Sequence, residues 1–229
     1  MIDGTRSLGE LVNERPARAR VLERLGFDYC CTGPRSLADA CASAGLGLAE
    51  VAPLLDVDDT TEDWAQLGPA ALVDHLERVH HAFLWDELPR LAGLADKVLD
   101  EHGARHPELT TVRRLLHELK RDLEPHMLKE ERVLFPMIRE LATADSPAKF
   151  HCGSLRNPIS VMLIEHERAG ELLRMLRGAA DGYVVPADGC TSYAMLYDGL
   201  TQLEADTHLH IHKENNLLFP TVIQLEEGR

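Results

Sequence analysis

No stretch of this 229-residue chain approaches the roughly 18 uninterrupted apolar residues that a membrane-spanning helix needs. Its first residues, MIDGTRSLGELVNERP, lack the apolar core of a signal peptide. The expectation is a cytoplasmic protein with no membrane partner. Basic residues are few: 24 Lys and Arg face 38 Asp and Glu, a net charge of −14. That balance argues against nucleic acid as a partner, because such binding rests on neutralising phosphates. The five cysteines, at 30, 31, 41, 152 and 190, are odd in number and show no CxxC spacing. A zinc ribbon or a closed disulfide framework is therefore not expected, and in a reducing cytosol these residues are thiols.

What is present is an apolar fraction of 45%, enough for a core, and a length that suits one large or two small domains. Histidine is abundant, with 12 residues. Residues 1–56 read as a small helical domain. Ser7 and Glu10 make a capping-box pattern, and Gly26 and Gly45 suit helix stops. The loop between them carries the adjacent pair Cys30 and Cys31, which reads equally as small residues packed at a turn or as a reactive thiol pair. Cys41 reads as a third partner of that pair or as core. Residues 57–67 are acidic and Thr-rich and read as a linker. From residue 68 to 229 the apolar spacing is helical, in four long segments: one from Pro69 through Pro89 to Gly103, one after Pro107, one from near Pro158 to about Ala180, and one from about Ser192 to Gln224. Short joins between long helices predict an all-α, up-down-up-down four-helix bundle. Pro125 falls inside the second of these and is expected to distort it.

One stretch occurs twice. Residues 126–138 read HMLKEERVLFPMI and residues 210–222 read HIHKENNLLFPTV. In each copy a His precedes a Glu by four residues, which places both on one helix face. His126 with Glu130, and His210 with Glu214, then point into the bundle from two diagonal helices. The third helix offers His166 in IEHERAGELL. The first offers His75, His80 and His81, and the His81 side is taken, although helical phase does not separate it cleanly from His80. Imidazole with carboxylate and no thiolate suits iron or manganese better than structural zinc. A ferritin-like centre would need Glu-x-x-His on two helices, a pattern absent here. His102 and His106, an i,i+4 pair at the end of the first long helix, are expected near the mouth of the site.

These residues carry a resemblance. LGELV followed by DYCC resembles the small N-terminal domain of the repair-of-iron-centres family, the hemerythrin-like di-iron proteins that bacteria use under nitrosative and oxidative stress. HMLKEERVLFP, SVMLIEHERAGELL and HIHKENNLLFP resemble its bundle motifs, in the same order and over nearly the whole chain. The resemblance implies a hemerythrin-like bundle with two iron ions in a non-haem, oxo-bridged centre. It implies the ligands His81, His126, Glu130, His166, His210 and Glu214, with His102 as an auxiliary residue. It implies repair of iron-sulfur clusters by iron donation, with damaged or apo iron-sulfur proteins as partners, a transfer or redox role for Cys30 and Cys31, and a homodimer. The alternative on the same site is nitric oxide reduction, or sensing of nitric oxide or dioxygen. One departure is that the family stretch reads like DYCCGG, whereas here Thr32 follows the cysteines.

Overall fold

The computed structural model describes residues 2–31, 33–57, 64–143 and 150–228. Thr32, most of the acidic linker and part of the connection at 144–149 lie outside the described residues. Among the described residues the chain is helical, with two isolated β-bridges.

The N-terminal part is built from short helices closed by their own caps. In α1 (Leu8–Glu14) Ser7 Oγ accepts the Glu10 amide while Glu10 returns a carboxylate to the Ser7 amide. Helix α2 (Arg18–Arg24) is followed by Gly26 at φ 71°, and α3 (Leu37–Ala44) starts on Ser36 and stops on Gly45 at φ 69°. Only glycine takes such angles without strain. Ser7 and Ser36, the two capping residues, pair across an antiparallel bridge, so α1 and α3 start side by side. Helix α4 (Leu48–Val51) runs into a 3₁₀ turn, Ala52–Leu55. Arg18 is buried, and its guanidinium donates to the Leu55 and Leu11 carbonyls and to Glu14. Cys41 is buried in this core.

The four long segments form the bundle, each close to its expected span. The first is α5 (Pro69–Leu76) and α6 (Ala82–His102); the second is α7 (Leu109–Lys129) and α8 (Phe135–Thr143). The third is α9 (Arg156–Ala179), and the fourth is α10 (Thr191–Lys213) and α11 (Phe219–Glu227). Helix α6 packs on α7 and α10, and α7 packs on α9, which sets α7 and α10 on a diagonal.

Three of the segments contain a feature that spacing alone does not reveal. A single wide turn interrupts each: Glu77–His81, Glu130–Leu134 and Glu214–Leu218. In each the amide after the turn reaches back five residues: Ala82 to Glu77, Phe135 to Glu130 and Phe219 to Glu214. Such π turns recur at functional sites. The repeated prolines explain two of them. A helical proline lacks an N–H and presses its ring on the carbonyl four residues back, which for Pro136 and Pro220 means Arg132 and Asn216, inside the wide turns. Pro125, by contrast, is carried inside α7.

Two apolar clusters fill the molecule. The larger joins the N-terminal domain to the α6, α7, α9 and α10 core, from Leu11, Leu22 and Tyr29 to Leu119, Leu173 and Leu200. The smaller occupies the far end, with Leu76, Phe135, Ile138, Ile159, Phe219 and Val222. The histidines and glutamates of the repeated stretch lie between them.

Two glycines test this packing. A Cβ at Gly33 would lie 2.8 Å from the Tyr29 carbonyl and against the Asn216 side chain, whereas one at Gly93, inside α6, meets nothing within 4 Å. Gly33→Ala is expected to cost about 1–3 kcal/mol by overpacking. Gly93→Ala is expected to be neutral or to gain up to ~1 kcal/mol, both read from denaturant unfolding.

Candidate metal centre

Six side chains meet in the polar layer between the two cores. His81, His126, Glu130, His166, His210 and Glu214 are all buried, the two glutamates completely. Their donor atoms form two overlapping clusters, His81, Glu130, His210, Glu214 and His126, Glu130, His166, Glu214, each with its atoms within 4.8 Å of one another. Both glutamates belong to both clusters. Glu130 Oε2 lies 3.4 Å from His81 Nε2 and 3.3 Å from His126 Nε2. Glu214 reaches His166 Nε2 at 3.1 Å and His210 Nε2 at 3.2 Å.

The outer nitrogen of three of the imidazoles is already committed. His81 Nδ1 donates to Glu131 at 2.9 Å, His126 Nδ1 to Glu165 at 2.8 Å and His166 Nδ1 to Asn215 Oδ1 at 2.7 Å. With the proton on Nδ1, each Nε2 turns a lone pair inward, the tautomer that a metal ligand needs. His81 and His210 then face each other Nε2 to Nε2 at 3.2 Å, and His126 and His166 at 3.1 Å. No carboxylate oxygen of Glu130 or Glu214 has a hydrogen-bond partner. Facing lone pairs and buried, unbonded carboxylates are unfavourable unless a cation lies among them. Imidazole and carboxylate donors fit a borderline or hard divalent ion.

In the absence of metal, protons take that place. Burial disfavours a charged His81, but its contact with Glu130 and the charges of Glu130 and Glu214 outweigh this and raise it to about 9. His166 is likewise opposed by burial and raised to about 9 by Glu214 and Glu130. Burial also opposes ionisation of Glu214, yet His210 and His166 hold it well below the usual carboxylate range.

The repeated Leu-Phe-Pro now has a function. Phe135 stacks on His81 (ring centroids 5.4 Å) and Phe219 on His166 (5.9 Å). On a regular helix Phe135 would sit about 140° around from Glu130; the wide turn brings it back over the site. The same kind of turn at Glu77–His81 alters the phase at the one place where His80 and His81 had to be distinguished. His81 enters the site, and His80 turns to Asp206, at 2.9 Å, and to Lys213 Nζ, at 2.8 Å. Lys213 is buried, donates to His75 as well and lies over Trp64.

His102 is not brought to this site. It ends the 21-residue α6, about 30 Å along the helix from His81. There its Nε2 meets Cys190 Sγ at 3.1 Å, and His106, likewise far from the site, bonds Asp188. Cys30 and Cys31 are closer. Their sulfurs lie 3.6 Å apart, Asp28 accepts both their amides, and Cys31 Sγ approaches the His166 carbonyl at 3.7 Å. The bond to Cys31 and burial push Cys30 well above the usual thiol range, so it is a protonated thiol, not an activated thiolate. The pair opens on a cavity of about 870 Å³ that Asn215 also lines.

Residues 71–222 match the hemerythrin HHE cation binding domain, and residues 4–57 match ScdA_N, a domain of unknown function. Over 222 residues the chain is 35% identical to the iron-sulfur cluster repair protein YtfE of Edwardsiella ictaluri, covering 95% of this chain and 96% of that one. The chain belongs to the hemerythrin-like iron-sulfur cluster repair family. Other members similar to it are a probable iron-sulfur cluster repair protein of Haemophilus influenzae, 32% identical over 222 residues (94% of this chain, 96% of that one), and YtfE of Escherichia coli O157:H7, 33% identical over 220 residues (94% and 96%). The bundle is thus hemerythrin-like and a cation-binding domain. In this family member no single helix among the described residues is long and apolar enough to cross a membrane.

The raised histidines give the metal-free protein a pH dependence. Each is protonated more readily when folded than at its ordinary value of 6.5. Its contribution to stability is complete below pH 6.5 and is lost as pH rises through about 9. Thermal melting of chelator-treated protein is expected to show a lower midpoint at about pH 9.5 than at pH 6.5; a midpoint that rises over this range contradicts the charge arrangement.

Proposed function

We propose that the bundle holds two iron ions and donates iron to damaged or apo iron-sulfur clusters in the cytoplasm, under nitrosative or oxidative stress. The residues that would hold them are Glu130 and Glu214, which belong to both donor clusters, with His81 and His210 in one cluster and His126 and His166 in the other. The observation that carries this reading is the set of four unbonded carboxylate oxygens facing four imidazole nitrogens in a buried layer. Iron is favoured over structural zinc by the absence of thiolate in the set, and over other ions by the iron-sulfur repair role printed in the names of the relatives.

Bound iron would supply Lewis-acid and redox chemistry. The chain's own residues do the rest. Glu131, Glu165 and Asn215 hold three rings in the ligating tautomer, and Phe135 and Phe219 keep water from two of them. In the metal-free site His81 and His166 hold a proton at Nε2 beside Glu130 and Glu214, which gives the glutamates a counter-charge. A site that exchanges cations for protons can release its cargo without unfolding.

The test is an anaerobic transfer assay. Iron-loaded protein is mixed with a cluster-depleted dehydratase, sulfide and a chelator that traps free iron. Dehydratase activity is expected to recover, and to fail to recover with Glu130→Ala or Glu214→Ala. No recovery, with two irons per chain still bound, would mean that the metals stay in place, and nitric oxide or dioxygen chemistry at the site would replace iron donation. Glu131→Ala, which frees His81 Nδ1, is expected to weaken iron binding about 10–100-fold, read by competition with a chelator.

A further inference from the structure

The two halves of the site are built on the two copies of the repeated stretch, and one difference between them stands out. The residue after each bridging glutamate holds a histidine on a neighbouring helix. In the first half Glu131 accepts from His81 Nδ1 and from Trp85 Nε1, both within the bundle. In the second half the residue is Asn215. Its Oδ1 accepts from His166 Nδ1 at 2.7 Å, and its Nδ2 donates to the Cys30 carbonyl at 3.3 Å. A carboxylate could make the first bond but not the second. The amide therefore spans from a candidate ligand to the backbone of the dithiol loop. Two further contacts run in parallel: Asn216 Nδ2 donates to the same Cys30 carbonyl at 3.1 Å, and Cys31 Sγ lies 3.7 Å from the His166 carbonyl.

We propose that Asn215 is a positioning residue that couples metal occupancy to the exposure of Cys30 and Cys31. This rests on the reading of His166 as an iron ligand. With a cation on His166 Nε2 the ring is fixed, Asn215 is fixed with it, and the Cys30 carbonyl is held. Without the cation the ring is held only by Glu214 and Asn215, the amide is less firmly fixed, and the loop is freer to open toward the cavity that Cys30, Cys31 and Asn215 line. Coupling of this kind is reciprocal. Whatever engages the thiols from that cavity therefore lowers the hold on iron.

The test compares metal-free protein with protein loaded anaerobically with ferrous ion. Iodoacetamide is the probe, and alkylation of Cys30 and Cys31 is followed by peptide mass spectrometry, with Cys152 and Cys190 as internal references. Cys31 is expected to react at least about fivefold more slowly in loaded protein, the lower end of ordinary site-to-site coupling. Asn215→Asp keeps an acceptor for His166 but has no N–H for Cys30; compared with wild type at equal measured iron occupancy, it is expected to lose the difference. The reverse arm is expected to agree: wild-type protein alkylated at both thiols gives up iron to a chelator faster by a similar factor. Equal alkylation rates with iron bound, a difference that persists in Asn215→Asp, or unchanged release after alkylation would each overturn the coupling. Absence of iron from wild-type protein would instead overturn the metal reading itself.

Discussion

Two carboxylates with no access to water have to be neutralised, and the rest of the site follows from that requirement. Glu130 and Glu214 lie side by side in a layer walled by apolar side chains on both sides. In such surroundings an uncompensated charge is very costly, and two like charges cost more. Four imidazoles converge on them, and the outer nitrogens of His81, His126 and His166 are tied to groups that fix the tautomer. The imidazoles are able to serve either as ligands or as cations. The site is therefore tolerable without a cation, and its donors are already placed to hold one.

The duplicated stretch has diverged where its surroundings differ. Lys129 and Lys213 occupy matched positions, yet Lys129 pairs with Glu165 at the half-exposed side of the bundle, whereas Lys213 is buried among His75, His80 and Trp64. The second copy faces the N-terminal domain. His212 donates to Asn13 and packs on Tyr29, and Asn216 donates to the Cys30 carbonyl. Burial holds His212 near 4, so it is neutral in that contact. The change from Glu131 to Asn215, and from Arg132 to Asn216, exchanges charged side chains for amides that can bond a backbone.

Much of the centre was legible from residue order because it obeys helical geometry. The i,i+4 spacing in the two copies identified His126, Glu130, His210 and Glu214, and His166 stood out as the histidine inside the apolar pattern of its helix. His81 was not separable from His80 by phase, since a wide turn ends at His81 and the usual rotation per residue fails there. The supporting residues Glu131, Glu165 and Asn215 were not legible, because each serves a histidine on another helix and only the packing shows which. Phe135 and Phe219 were visible as repeats without a role. His102 was expected near the site through its match to a family histidine and the i,i+4 pairing with His106. The length of α6 carries it to the opposite end, where Cys190 meets it. The capping residues and glycines of the N-terminal helices were read correctly because their preferences are local.

The division of the interior into two apolar clusters bears on cooperativity. The far end of the bundle, built on Leu76, Phe135, Ile138, Ile159, Phe219 and Val222, has a core of its own. Three of the four helical segments enter that end through a π turn, where the regular backbone ladder is weakest. The polar layer is thus a weld between two folding units. A cation there would tie the two ends into one opening unit; without one, the two cores are joined across charged groups alone, an arrangement in which local stability differs from end to end.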